Sequence, residues 1–112
     1  MHGHKVDAGG VVEIARFELR EGVALEALLQ ASGALEEGFL AKQRGYLGRE
    51  LLRQGERSFV DLVRWADRSS ADAAMAGAMA SPACTGYFGL MVPPASPEAG
   101  MPELLTRVAR YG

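Results

Sequence analysis

Two stretches of the chain, VVEIARFEL at 11–19 and RSFVDLVRWA at 57–66, alternate like β-strands but carry apolar side chains on both sides. In the first, Val12 and Ile14 share a side with Arg16 and Glu18, while Val11, Ala15, Phe17 and Leu19 share theirs with Glu13. In the second, Val60 and Leu62 accompany Arg64, and Phe59, Val63 and Trp65 accompany Asp61. A sheet with one wet face shows clean apolar-in, polar-out alternation, so strands of this kind need a cover on each face. Helices of the same chain supply one cover. The other is expected from a second subunit, with two sheets packed face to face across a two-fold axis in a homodimer.

The remaining segments fit that requirement. From Leu25, apolar residues fall at Leu28, Leu29, Leu35, Phe39 and Leu40, with small Ser32 in the series, which is the spacing of an amphipathic helix reaching Gln43 to Gly45. YLGRELLR at 46–53 is joined to the RSFVDLVRWA stretch by QGE, a link suited to an antiparallel hairpin. ADRSS then supplies a helix start, with Ser69 and Asp72 spaced as a capping box, and the second helix runs to about Met79 before Pro82. VPPASPEAGMP is too rich in proline and glycine for regular structure and leads into ELLTRVARY, which alternates as a last strand. The order β-α-β-β-α-β predicts an α+β, ferredoxin-like fold: a four-stranded antiparallel sheet with two helices on one face. Residues 1–10 show no periodicity and read as a flexible tail, leaving 11–112 as a single domain.

Composition narrows the function classes. The formal charge of −2 comes from interspersed signs, so no basic patch points to nucleic acid and no polybasic segment to a membrane. The longest apolar runs, AAMAGAMA and YFGLMV, are too short to span a bilayer, and the first ten residues lack a hydrophobic signal segment, so a cytoplasmic location is expected. Cys84 is the only cysteine and both histidines, His2 and His4, lie in the tail. A nucleophilic thiol needs a base beside it, so Cys84 reads as a small buried hydrophobe, and two imidazoles alone make no functional metal site.

QRGYLGRELLR after the first helix, FVDLVRWADRSSADAAM across the third strand and second helix, and MASPACTGYFGLM leading out of it resemble the antibiotic biosynthesis monooxygenase-like family of the dimeric α/β-barrel superfamily. The resemblance spans roughly residues 11 to 111 and marks architecture better than chemistry. It implies a homodimeric barrel with a space between each sheet and its helices for a small, often aromatic or quinone-like metabolite. It also implies an activity such as cofactor-independent monooxygenation, with no cofactor and no metal. Family oxygenases use Asn, Trp and Arg to help deprotonate a phenol and hold its anion, and the family's haem-degrading enzymes use a helix histidine. This chain has no Asn and no His after His4, and it carries the Met75 to Met79 region where that histidine often stands. Haem degradation is therefore disfavoured.

The candidate site residues follow from chemistry and placement. Arg16 and Arg64 each sit among apolar neighbours on a predicted central strand, where a lone charge is expensive unless a carboxylate or an anionic ligand meets it. Either is a candidate catalytic cation, with Glu13, Glu18, Glu50 and Asp61 as the available acidic partners and Asp61 as a candidate base. Trp65, Tyr87, Phe88, Met75 and Met79 are candidate substrate-binding residues. For Trp65 the commoner use is to anchor a helix to the sheet, and methionines at helical spacing are usually core. Two competing readings remain on these residues: a non-catalytic binding or structural dimer with its charges paired internally, and an isomerase or lyase with Asp61 or Glu50 as base.

Overall fold

The computed structural model describes residues 10–112; the expected tail, with His2 and His4, lies almost wholly outside them. Strand β1 is Val11–Glu18, α1 is Leu25–Gly38, β2 is Tyr46–Arg53, β3 is Ser58–Trp65, α2 is Arg68–Ala78, α3 is Pro82–Phe88 and β4 is Glu103–Thr106. The strands form one antiparallel sheet in the order β2-β3-β1-β4, which is the expected ferredoxin-like arrangement.

The register decides the faces. Val11 opposes Trp65, Glu13 opposes Val63, Ala15 opposes Asp61 and Phe17 opposes Phe59, and of these Val11, Phe59, Asp61, Val63 and Trp65 are buried. These side chains share one core with Leu28, Leu35 and Phe39 of α1 and its end, Ala71 and Ala74 of α2, and Cys84 and Tyr87 of α3. The helices therefore cover the Glu13–Asp61–Trp65 side. On the other side lie Val12, Ile14 and Arg16 of β1, Val60, Leu62 and Arg64 of β3, Leu52 of β2 and Leu105 of β4, and there Leu52 and Leu105 remain 41% and 49% exposed.

Local chemistry sets several boundaries away from the sequence expectation. Helix α1 stops at Gly38 because Phe39 leaves helical geometry, at φ −136° and ψ −64°, and a short 3-10 turn over Leu40–Lys42 follows. Asp67, rather than Ser69, caps α2: its carboxylate accepts the backbone N–H of Ser70 at 2.8 Å and the Ser69 hydroxyl at 3.0 Å, and these bonds hold its pKa below the ordinary value. A third helix, α3, was not expected. Ser81 caps it by accepting the Cys84 N–H, and Pro82 fits its first turn, where no N–H is needed. Only the first four residues of the expected last strand pair with the sheet.

Strand β2 carries a bulge between Tyr46 and Gly48. Gly48 has φ +150°, a backbone conformation that residues with a side chain rarely adopt, and the movable end of the Arg64 side chain lies where a Cβ would stand. The extra residue, Leu47, puts Tyr46 and Arg49 on the same covered face, three positions apart.

Candidate functional site

Beneath the helices, the sheet carries a connected set of polar side chains. Asp61, on a central strand beside small Ala15, is 7% exposed. Its Oδ1 accepts the Arg49 Nε–H at 3.0 Å, and its Oδ2 accepts the Tyr87 hydroxyl at 2.6 Å. Arg49 opposes Val63, which makes Asp61 its diagonal cross-strand neighbour. The guanidinium also reaches the Ser32 carbonyl at 3.4 Å, the Ser32 hydroxyl, and Glu36 Oε1 at 3.4 Å, tying β2 to α1. Glu36 accepts the Tyr46 hydroxyl at 2.6 Å. The Arg49 cation lies 5.6 Å from the centre of the Tyr87 ring, and Phe17 meets that ring edge-on at 5.9 Å.

The second part of the site is Glu13 with Trp65. The Trp65 indole N–H donates to Glu13 Oε1 at 2.9 Å, and Trp65 is 1% exposed, with Tyr46 edge-on at 5.6 Å. Burial raises the Glu13 pKa, the indole hydrogen bond draws it back in part, and the Asp61 charge raises it further. Burial also pushes the Tyr87 phenol well above its ordinary value, with the Asp61 charge acting in the same direction. Burial works against the Arg49 cation, but Asp61 outweighs it and the Arg49 pKa is raised. The Tyr46 phenol is raised by burial first and then by Glu36.

Of the residues singled out from the sequence, Asp61, Tyr87 and Trp65 lie on this covered face. Arg16 and Arg64 lie on the opposite face of the sheet. Arg16 pairs there with Glu103 at 2.6 Å, an acidic partner outside the four considered, and both side chains are exposed. Arg64 lies across Gly48. Met79 and Phe88 are exposed and Met75 is half-buried on α2. Cys84 is buried, and burial raises its thiol pKa, as suits an inert packing group.

Arg49 is the residue that sequence reasoning passed over. It stands between Leu47 and Leu51 in simple alternation, the same signal of a charge among apolar neighbours that drew attention to Arg16 and Arg64. An isolated glycine inside a strand, here Gly48, was the further sign of a bulge that redirects its neighbours.

Two recesses open on the helical side of the molecule. A groove of about 370 Å³ between α1 and α3 is lined by small side chains, including Ala31, Ala34, Ala83 and Gly86, and has Tyr87 in its wall. A second recess of about 280 Å³, at the start of α2, is lined by Gln43, Arg44, Asp67, Ser69, Ser70 and Ala73. Among the described residues, no group of three or more His, Cys, Asp or Glu side chains is placed to hold a metal ion. No helix among them is long and apolar enough to cross a membrane.

Chemically, the covered face offers a buried carboxylate that accepts a phenolic O–H, a cation beside it, and a second carboxyl whose raised pKa suits proton transfer nearer neutral pH. Comparison with known proteins agrees in fold. The profile of a family described as antibiotic biosynthesis monooxygenase matches residues 10–85. Among solved structures, the chain is similar to SnoaB, a cofactor-independent oxygenase from Streptomyces nogalater, at 22% identity and TM-score 0.68, covering 94% of this chain and 97% of that one. It is also similar to the NE2512 protein of unknown function from Nitrosomonas europaea, at 20% identity and TM-score 0.66, covering 97% and 96%. A third likeness is to Rv0793 from Mycobacterium tuberculosis, at 20% identity and TM-score 0.63, covering 92% and 99%. A search of the curated proteins gave no match.

Proposed function

The chain belongs to the antibiotic biosynthesis monooxygenase family, and from that premise we propose that it is a cofactor-independent oxygenase of a small planar phenol or quinol, working as a homodimer. The observation that carries this reading is the buried Asp61, held between the Arg49 guanidinium and a phenolic hydroxyl. A phenol and dioxygen together give a quinone and water, so the substrate itself supplies all four electrons that dioxygen takes up and no external reductant is needed. What the protein must supply is removal of the phenolic proton and stabilisation of the anion that results. In this reading Arg49 orients the ring oxygen, Asp61 accepts its O–H, the proton passes on to Glu13, the diagonal cross-strand neighbour of Asp61, and Trp65 fixes Glu13 by its indole hydrogen bond. Arg16 and Arg64, on the far face, have no chemical role.

Glu13→Gln is expected to lower oxygen uptake with naphthols or dihydroxynaphthalenes by about 100-fold, the usual scale for a lost general base. Arg64→Ala is expected to leave the rate near that of the wild type. Equal losses in the two variants would put the chemistry on the wrong face of the sheet. Because a base must be deprotonated to act, and burial raises the Glu13 pKa above 4.5, the rate should climb with pH through that raised value. The rising limb should be absent from Glu13→Gln.

The apolar side chains of the open sheet face support the homodimer. Light scattering should give twice the 11.9 kDa chain mass. Leu62→Arg, which would bury an unpaired charge between the sheets, should halve it; a wild-type monomer at micromolar concentration would remove the dimer from the proposal.

A second reading, a binding protein without catalysis, has its own support. Among the described residues every buried side-chain nitrogen or oxygen already has a partner, and the chain has no Asn. Under that reading a phenol binds with no oxygen uptake at any pH.

A further inference from the structure

Tyr87 is itself a phenol. Its hydroxyl donates to Asp61 Oδ2 at 2.6 Å, its ring lies against the Arg49 cation, and Phe17 and Phe88 flank the ring at 5.9 and 6.2 Å. We propose that Asp61 and Arg49 form a recognition site for an external, uncharged phenol, and that Tyr87 occupies it as a built-in surrogate until a ligand displaces it through the groove between α1 and α3. This rests on the reading that the covered face is the ligand site, and adds to it both the occupant of the resting state and the route of exchange.

Three observations carry the inference. First, the contacts that hold Tyr87 would hold any planar phenol: an acceptor for the O–H, a cation for the electron-rich face, and aromatic edges around it. Second, Tyr87 belongs to both places, since the same residue lines the groove and completes the buried hydrogen bonds. The groove lining is largely alanine, glycine, proline and leucine with Gln30, and no charged side chain, which suits a flat neutral ring rather than an anion. Third, Tyr87 sits on a seven-residue helix, two residues before Gly89 and next to Gly86, which lines the groove without a side chain of its own. A change of the Tyr87 side-chain rotamer on this helix needs no backbone hydrogen bond of the sheet to break.

Displacement has a distinctive signature. Closure by Tyr87 lowers the fraction of molecules able to bind, and apparent affinity falls by that fraction. Removing the Tyr87 hydroxyl weakens the closed state while leaving Asp61 free to accept from a ligand. In calorimetric titration, Tyr87→Phe should therefore bind 2-naphthol at least about fivefold tighter than the wild type, the scale of one lost hydrogen bond. The gain should not extend to 2-methoxynaphthalene, which has no O–H to donate, and adding Asp61→Ala, which removes the acceptor, should remove the preference for naphthol over its ether. If Tyr87 is instead a fixed wall or a contact to the ligand, Tyr87→Phe binds 2-naphthol no tighter than the wild type, and the proposal is overturned. An equal gain for the ether overturns it as well.

A measurement on the wild-type sequence guards against a misfolded variant. With 3-fluorotyrosine in place of tyrosine, the fluorine resonance missing from the Tyr87→Phe sample should move at saturating 2-naphthol, and one that stays fixed while binding saturates refutes displacement. Neither measurement reads oxygen uptake. Binding with displacement but no uptake would sink the oxygenase reading alone, whereas uptake without displacement would sink only the surrogate.

Discussion

Arg49→Met is expected to cost about 3–5 kcal/mol of folding stability, the range found when one partner of a buried ion pair is removed. The reason lies in what remains. Asp61 keeps only the Tyr87 hydroxyl, and with a side chain 10% exposed it has little water to replace the lost cation. Arg49 also ties β2 to α1 through Ser32 and Glu36, so its loss removes contacts on two elements at once. The decrease should appear as a lower midpoint in urea with little change in slope. In the Arg49→Met background, Asp61→Asn should recover much of the stability, because the buried charge is then gone from both sides, and the deficit from additivity in that double-mutant cycle measures the pair. A loss under about 1 kcal/mol for Arg49→Met would mean that the Asp61 charge is met by solvent, and the recognition site would lose its basis.

Trp65→Ala is expected to cost a similar amount, about 3–5 kcal/mol, through a cavity under the helices. Trp65 is 1% exposed and packs in the core that joins the sheet to the helices. The variant should be followed by circular dichroism, since the chain has no other tryptophan. Trp65→Phe separates two contributions: the ring body is largely kept, but Glu13 loses its N–H donor. That bond is what holds the Glu13 pKa down against burial, so Trp65→Phe should move the rising limb of the pH–rate profile to higher pH. A variant with normal stability and an unmoved profile would leave Trp65 as neither anchor nor positioning residue.

How far the site was legible depended on the range of the interaction involved. The four strands, the two longer helices and their order follow from periods of two and near 3.6, which are local properties of the chain. The start of α3 was also written locally, in Ser81 followed by Pro82, but there Pro82 reads equally as the end of α2. The last strand looked longer than it is because alternation continues to Tyr111, while pairing depends on a partner strand: β4 pairs with β1 only over Val11 to Ile14. Arg49 shows the limit most clearly. Its neighbours in sequence marked it as a charge among apolar residues, but its role comes from Asp61, Glu36 and Ser32, residues 12 to 17 positions away.

By itself the sequence determined that the central strands have two apolar faces and that each face carries charges, because alternation sorts side chains into two sets wherever the strand lies. Which set is covered by the helices is not a property of any strand. It is decided when the β-α-β connections wrap the helices onto one side of the sheet, a choice fixed by the handedness of chain crossovers and by the packing of the whole core. That choice put Asp61, Trp65 and Glu13 under the helices with Arg49 and Tyr87, and left Arg16 and Arg64 on the other side.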